Sequence, residues 1–244
     1  MKFTYIKRDI IMNTIKLRSC RRTIFTAAIA LAAVASGLTP ITCKADEYWD
    51  RKVSLFSVLP IEENDIVFLG NSITDGGEFN ELFNRGDVKN RGISSDVITG
   101  VEKRLEQVTS GHPRKIFLLI GINDVSHGLS VGQFSERYER LVKKIRTQSP
   151  ETELYVQSVM PINNDFHRYR NLTGRERTVV ELNKCIKRIA EENDAKYIDL
   201  WPFLADYKGH LKREFTNDGL HLNGLGYRAW THGIRGYLEE NPRD

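Results

Sequence analysis

The sequence predicts a three-layer α/β/α fold, doubly wound around a mostly parallel, five-stranded sheet. Three observations carry this prediction. Short apolar runs alternate with helical periods from residue 65 onward. Three of the runs are almost continuously apolar, as strands are when helices cover both faces of a sheet. The chain has 244 residues, 40% hydrophobic and 28% charged, enough for one domain with a sizeable core.

The strands are expected at residues 65–69, 88–91, 115–120, 154–159 and 197–200. The second is too polar to stand alone and is assigned by its place in the alternation. Between them lie helical stripes. Val97, Val101, Leu105 and Val108 step by four, four and three, which predicts one helix there. Phe134, Tyr138, Leu141, Val142 and Ile145 form a second stripe, closed by Pro150. Val179, Leu182, Ile186 and Ile189 form a third, and Tyr227, Trp230, Ile234 and Tyr237 a fourth. Strand–helix alternation gives a parallel sheet with helices on both faces. Right-handed crossovers leave few topologies. Residues 46–63 are expected as a lead-in segment packed on the outside.

The first 45 residues form a leader. Residues 24–43 carry no charge, and Lys16, Arg18, Arg21 and Arg22 precede them. A cationic flank, a short apolar run and then small residues is the order of a secretory signal. The run is too short to span a bilayer comfortably, which takes about 20 apolar residues. Export to a bacterial periplasm or cell surface is the expectation, with residues 46–244 as the single mature domain. Cys43 is a candidate for lipid anchoring to the membrane, although Thr42 before it is not the small residue a lipobox prefers. The leader also explains the charge. The whole chain is formally +4, but residues 46–244 hold 28 Lys/Arg against 31 Asp/Glu, a net of −3. No nucleic-acid footprint remains. Only Cys185 lies beyond the leader, so no disulfide within the domain is expected.

In a doubly wound sheet the chemistry sits in the loops after the strands. The first such loop starts Gly70-Asn71-Ser72-Ile73. Glycine permits the tight turn that would present Ser72 above the sheet. The loop lacks the spacing of a phosphate-binding motif. The chain's tail holds Asp218-Gly219-Leu220-His221. Asp218 can accept from the imidazole Nδ1–H, leaving Nε2 to take a proton from a serine. Asn223 is placed to cap the last helix. Asn123, after the third strand, offers an amide to an oxyanion. The Gly92 loop offers a backbone N–H. Each feature is ordinary alone, since Gly and Asn are common in turns.

Together, and in this order, they resemble the SGNH hydrolases, also called the GDSL esterase/lipase family. The matching blocks are Gly70-Asn71-Ser72-Ile73, the Gly92 loop, Gly121-Ile122-Asn123-Asp124 and Asp218-Gly219-Leu220-His221. The resemblance runs over roughly residues 65–237. Asn71 and Ile73 replace the Asp and Leu of the family's name. The resemblance implies a flavodoxin-like hydrolase fold and ester hydrolysis through an acyl-enzyme on Ser72. His221 is the expected base and Asp218 its orienting acid. The expected oxyanion donors are Ser72 N–H, Gly92 N–H and the Asn123 amide. No cofactor is expected, and Asp124, His127, Asp218 and His221 match no zinc spacing.

In family terms the chain is similar to bacterial relatives of platelet-activating-factor acetylhydrolase. The expected substrate is a small-molecule or glycan ester, with acetyl on carbohydrate favoured. Asn163, Asn164 and Trp201 are candidates to line its pocket. A lysophospholipase or thioesterase, and an inactive carbohydrate-binding protein on the same fold, are the alternatives.

Overall fold

The computed structural model describes residues 44–239 of the chain. Its strands are β1 (Ile66–Gly70), β2 (Val88–Gly92), β3 (Lys115–Leu119), β4 (Glu153–Gln157) and β5 (Lys196–Ile198). All five pair in parallel, in the order β2-β1-β3-β4-β5. Every residue of β1 and β3 is buried, which is why their sequences read as almost continuously apolar, with Lys115 at the start of β3 the exception. β5 is an edge strand and correspondingly polar. The chain runs from β1 out to β2, then back across β1 to β3. That reversal opens a crevice at the carboxyl ends of β1 and β3, where such sheets bind ligands.

The helices are α1 (Lys44–Ser57), α2 (Ser72–Asp75), α3 (Phe79–Phe83), α4 (Ile98–Lys103), α5 (Glu106–Thr109), α6 (Ile122–Ser126), α7 (Val131–Gln148), α8 (Glu176–Glu192), α9 (Trp201–Leu204) and α10 (Gly224–Glu239). A capping box of Ser130 and Gln133 starts α7, whose apolar stripe is fully buried. Asn223 caps α10 by accepting from the N–H groups of Leu225 and Gly226. One face of the sheet carries a ladder of stacked rings. Phe68 and Phe117 are register partners 5.0 Å apart, and Phe117 and Tyr155 follow at 4.6 Å. Phe79 stacks on Phe68 at 4.0 Å, and Trp230 of α10 meets both edge-on. Each such pair contributes about 0.5–1.5 kcal/mol beyond burial.

Two expectations are corrected. The single helix over residues 97–108 is broken into α4 and α5 at Arg104, where φ is −104° and ψ 8°. Val101, Leu105 and Val108 stay buried on either side of the break, and Val97, the N-cap of α4, is half-buried. The buried guanidinium of Arg104 donates to Asp96 Oδ2, Arg91 O and Gly70 O, tying together two strand ends and a loop. The lead-in segment is also more than outer packing. Much of it is α1, and α1 reaches the loops described below. Residues 1–43, nearly all of the expected leader, lie outside the described residues.

Candidate active site

The loop after β1 is built for close approach. A Cβ on Gly70 would stand 2.3 Å from Leu119 O and from Thr74 Oγ1, so only glycine fits. Asn71 then caps α2, its Oδ1 accepting from Ile73 N–H at 3.0 Å. An asparagine oxygen serves this cap as well as a carboxylate would. Ser72 follows as the first residue of α2 and is partly exposed.

The tail loop is an independent rigid unit. Asp218 Oδ1 accepts from the N–H groups of Leu220 (2.9 Å) and His221 (2.8 Å). Thr216 Oγ1 accepts from Gly219 N–H at 2.9 Å. Gly219 has φ +89°, and a Cβ there would meet Asn163 O at 2.2 Å. This turn leaves Asp218 Oδ2 facing His221 Nδ1 at 2.8 Å, and His221 Nε2 facing Ser72 Oγ at 3.0 Å. Burial raises the Asp218 pKa. Donors from His221, the Leu220 and His221 backbone and Tyr169 outweigh that and hold it at about 2. The ionised carboxylate only accepts, so Nδ1 carries the proton and Nε2 presents its lone pair to the serine.

The structure thus brings Ser72, His221 and Asp218 into one hydrogen-bonded line across 149 residues of sequence. Asn123 opens α6, at the carboxyl end of β3. Its Nδ2 donates one hydrogen to Asp96 O at 2.8 Å, and the amide has a second hydrogen. Gly92 does not fit its expected role. Its N–H already donates to Asn90 Oδ1 at 2.7 Å. Its requirement for glycine is spatial, since a Cβ would lie 2.1 Å from Asp75 N. Three residues on, Ser95 is exposed, has φ 67°, and its N–H meets no acceptor among the described residues.

Residues 68–229 match the GDSL-like Lipase/Acylhydrolase family. The chain belongs to that family. The α1 subunit of platelet-activating factor acetylhydrolase IB from Bos taurus is 24% identical over 181 residues, covering 72% of this chain and 76% of that one. A Streptococcus pneumonia structure, provisionally described as a platelet activating factor, has 25% identity and a TM-score of 0.74. It covers 86% of this chain and 99% of its own. An acetylxylan esterase from Geobacillus stearothermophilus shares the fold, with a TM-score of 0.60 at 17% identity, over 74% of this chain and 96% of its own.

Around the Ser72–His221–Asp218 line, several supporting residues carry no motif in the sequence. Asn90 Nδ2 donates to Thr74 O and Gly77 O, both at 2.7 Å, and pins the end of α2 to β2. Asp75 of α2 accepts from Tyr48 Oη (2.7 Å), Ser94 N–H (3.1 Å) and Ser94 Oγ (2.8 Å), and pairs with Lys52 Nζ at 2.7 Å. Burial works against this carboxylate, but its bonds to Lys52, Tyr48 and Ser94 hold it below the usual range. Trp49 Nε1 donates to Asp96 Oδ1 at 3.3 Å. So α1 holds both the nucleophile helix and the loop of residues 93–97. Tyr169 Oη donates to Asp218 Oδ2 at 2.8 Å.

Of the three candidate pocket residues, two are engaged in intramolecular hydrogen bonds and one lines a cavity. Asn163 is buried. Its Nδ2 donates to Leu211 O, and its Oδ1 accepts from Asp165 N–H. Asn164 Nδ2 donates to Leu172 O and to Glu176 Oε1. Both amides fasten the β4–α8 loop. Trp201 donates its indole N–H to Val159 O and lines a cavity of about 730 Å³ with Tyr197 and Tyr237. Neither Ser72 nor His221 lines that cavity. Volume does not make it the site. The hydrogen-bonded triad outweighs size, because chemistry is assigned by geometry.

Proposed function

We propose that this chain is a serine esterase that removes short acyl groups, acetyl above all, from an O-acylated carbohydrate. The observation that carries the reading is the Ser72–His221–Asp218 line, at 3.0 and 2.8 Å. A serine hydroxyl is a weak nucleophile until a base takes its proton. His221 Nε2 takes it as Ser72 Oγ attacks the ester carbonyl. Asp218 holds the imidazole and stabilises the imidazolium. His221 then protonates the departing alcohol. Water attacks the acyl carbon as His221 takes its proton; the Ser72 Oγ–acyl bond then breaks, His221 returns the proton to Oγ, and the acid leaves.

The carbonyl oxygen becomes an anion in both tetrahedral intermediates. In this reading its donors are the Ser72 N–H, the second hydrogen of Asn123 Nδ2 and the Ser95 N–H. The last replaces Gly92, whose N–H is committed to Asn90. Asn123 grips Asp96 O, which brings the 95–96 segment beside its amide. One such donor is worth about 2.7–4 kcal/mol.

A short acyl group is supported by the partly exposed setting of Ser72 and His221 at the sheet edge. It is also supported by the acetylhydrolase name of the bovine relative. The carbohydrate is supported by the acetylxylan esterase of like fold and by the expected export of the chain. The test is acetate release from acetylated sugars, xylans and sialic acids, beside p-nitrophenyl esters from acetate to decanoate and a phospholipid control. Activity highest on acetylated sugars and falling with acyl length supports the reading. A maximum at decanoate, or on the phospholipid, overturns it.

A further inference from the structure

Tyr169 sits in the β4–α8 loop, inside a run of arginines that gives no hint of catalysis. Its hydroxyl donates to Asp218 Oδ2 at 2.8 Å and stands 3.0 Å from His221 Nδ1. Its ring meets the imidazole edge-on, with centroids 5.9 Å apart. The two oxygens of Asp218 divide their work. Oδ1 is held by the Leu220 and His221 backbone, while Oδ2 receives His221 and Tyr169 together. The phenol therefore occupies the position from which water would compete for the imidazole Nδ1–H.

The loop that carries it is itself fastened. Asn163 N–H donates to Gly219 O at 2.8 Å, so the Tyr169 loop and the His221 turn are joined by backbone. Asn164 Nδ2 holds Leu172 O, and Leu172 is buried. Tyr169 is only partly buried, so its hydroxyl is placed by its bond to the carboxylate as well as by packing.

We propose that Tyr169 is a positioning residue for the acid–base pair: its hydroxyl fixes the Asp218 carboxylate and shields the Asp218–His221 bond from water. Burial first, and then Asp218, push the phenol's pKa up, so it stays a donor across the working range. The charges acting on this phenol are Asp218 and Arg168, the second opposing the first. The inference rests on the Ser72–His221–Asp218 reading.

The experiment is Tyr169→Phe, which deletes one oxygen and keeps the ring. It should lower kcat/KM on p-nitrophenyl acetate about tenfold, the size of one hydrogen bond to a charged group, with KM little changed. The acid limb of the pH profile should move to higher pH. Without the phenol, Asp218's charge is shared less and favours the imidazolium more. An unmoved acid limb overturns the proposal, whether or not the rate falls, because a packing role would not move it. In the Asp218→Asn background the Tyr169→Phe loss should vanish, and a full additive loss there also overturns it. Should Tyr169→Phe fail to fold, 3-fluorotyrosine at position 169 keeps the shape and strengthens the donor. The limb should then move to lower pH, and a stationary limb overturns the proposal. Ser72→Ala separates the two readings. If it abolishes turnover while Tyr169→Phe matches the parent in rate and profile, only the Tyr169 inference fails.

Discussion

The imidazole of His221 has Asp218 and Tyr169 at Nδ1 and Ser72 at Nε2, so changes at these contacts should have large effects. Ser72→Ala and His221→Ala should each cost on the order of 10⁴ or more in kcat, and the double variant little beyond either, because the pair acts as a unit. Steady-state hydrolysis of p-nitrophenyl acetate checks this, and near-parental turnover by Ser72→Ala would remove the nucleophile. Gly92→Ala tests a different kind of necessity. Its Cβ would lie 2.1 Å from Asp75 N and 2.6 Å from Asp75 Cα, backbone atoms that cannot swing aside. Overpacking of this kind costs about 1–3 kcal/mol or more, so the melting temperature should fall by several degrees. An unchanged melting curve would show that α2 and β2 can separate freely. The meeting of Ser72, His221 and Asp218 was legible because each lies in a short motif at a strand end or turn. The Gly92 motif was legible too, but its role was misread. Sequence shows that a glycine stands there, and only the fold shows that Asn90 takes its N–H while α2 takes its missing Cβ.

At the scale of elements, α1 clamps α2 from outside the sheet. Asp75 gathers Tyr48, Lys52 and Ser94, so one carboxylate joins the lead-in helix, the nucleophile helix and the loop carrying Ser95. Asp75→Ala should destabilise the fold by about 2 kcal/mol, discounted from the buried-pair range because Lys52 keeps some solvent. It should also slow acylation, since the loop bearing Ser95, a proposed oxyanion donor, loses its anchor. Thermal melting and pre-steady-state acylation on p-nitrophenyl acetate measure the two effects. Loss of stability with an unchanged acylation rate would confine α1 to a structural role. The five strands and the long helices α7, α8 and α10 were legible, because their apolar periods are set by burial against one sheet. The break at Arg104 was not. The stripe Val97, Val101, Leu105 and Val108 suits a continuous helix, and nothing local says that an arginine will bend inward to three acceptors as far as 34 residues away. Tyr169 was hidden for the same reason, since its partners lie 49 and 52 residues downstream.

For the whole molecule, two carboxylates make stability depend on pH in opposite directions. Asp218 is held at about 2 in the fold, below its unfolded value near 4. Its contribution is present above pH 4 and is lost as pH falls toward 2. Asp124, one residue past Asn123, is 1% exposed, and burial raises it to about 6 against the opposing N–H of Ile98. Here the native state binds the proton more tightly than the unfolded chain. Stability is therefore greater below pH 4, declines as pH rises from about 4 to 6, and stays lower above. The two slopes meet near pH 4. Asp124→Asn keeps an oxygen to accept from Ile98 N–H but removes the charge. It should raise stability at pH 8 by up to about 3 kcal/mol, since each pKa unit is worth about 1.4 kcal/mol. The gain should shrink to nothing as pH approaches 4. Urea unfolding of parent and variant at pH 4, 6 and 8 measures it. A gain of equal size at all three values would mean that the buried charge of Asp124 is not its source.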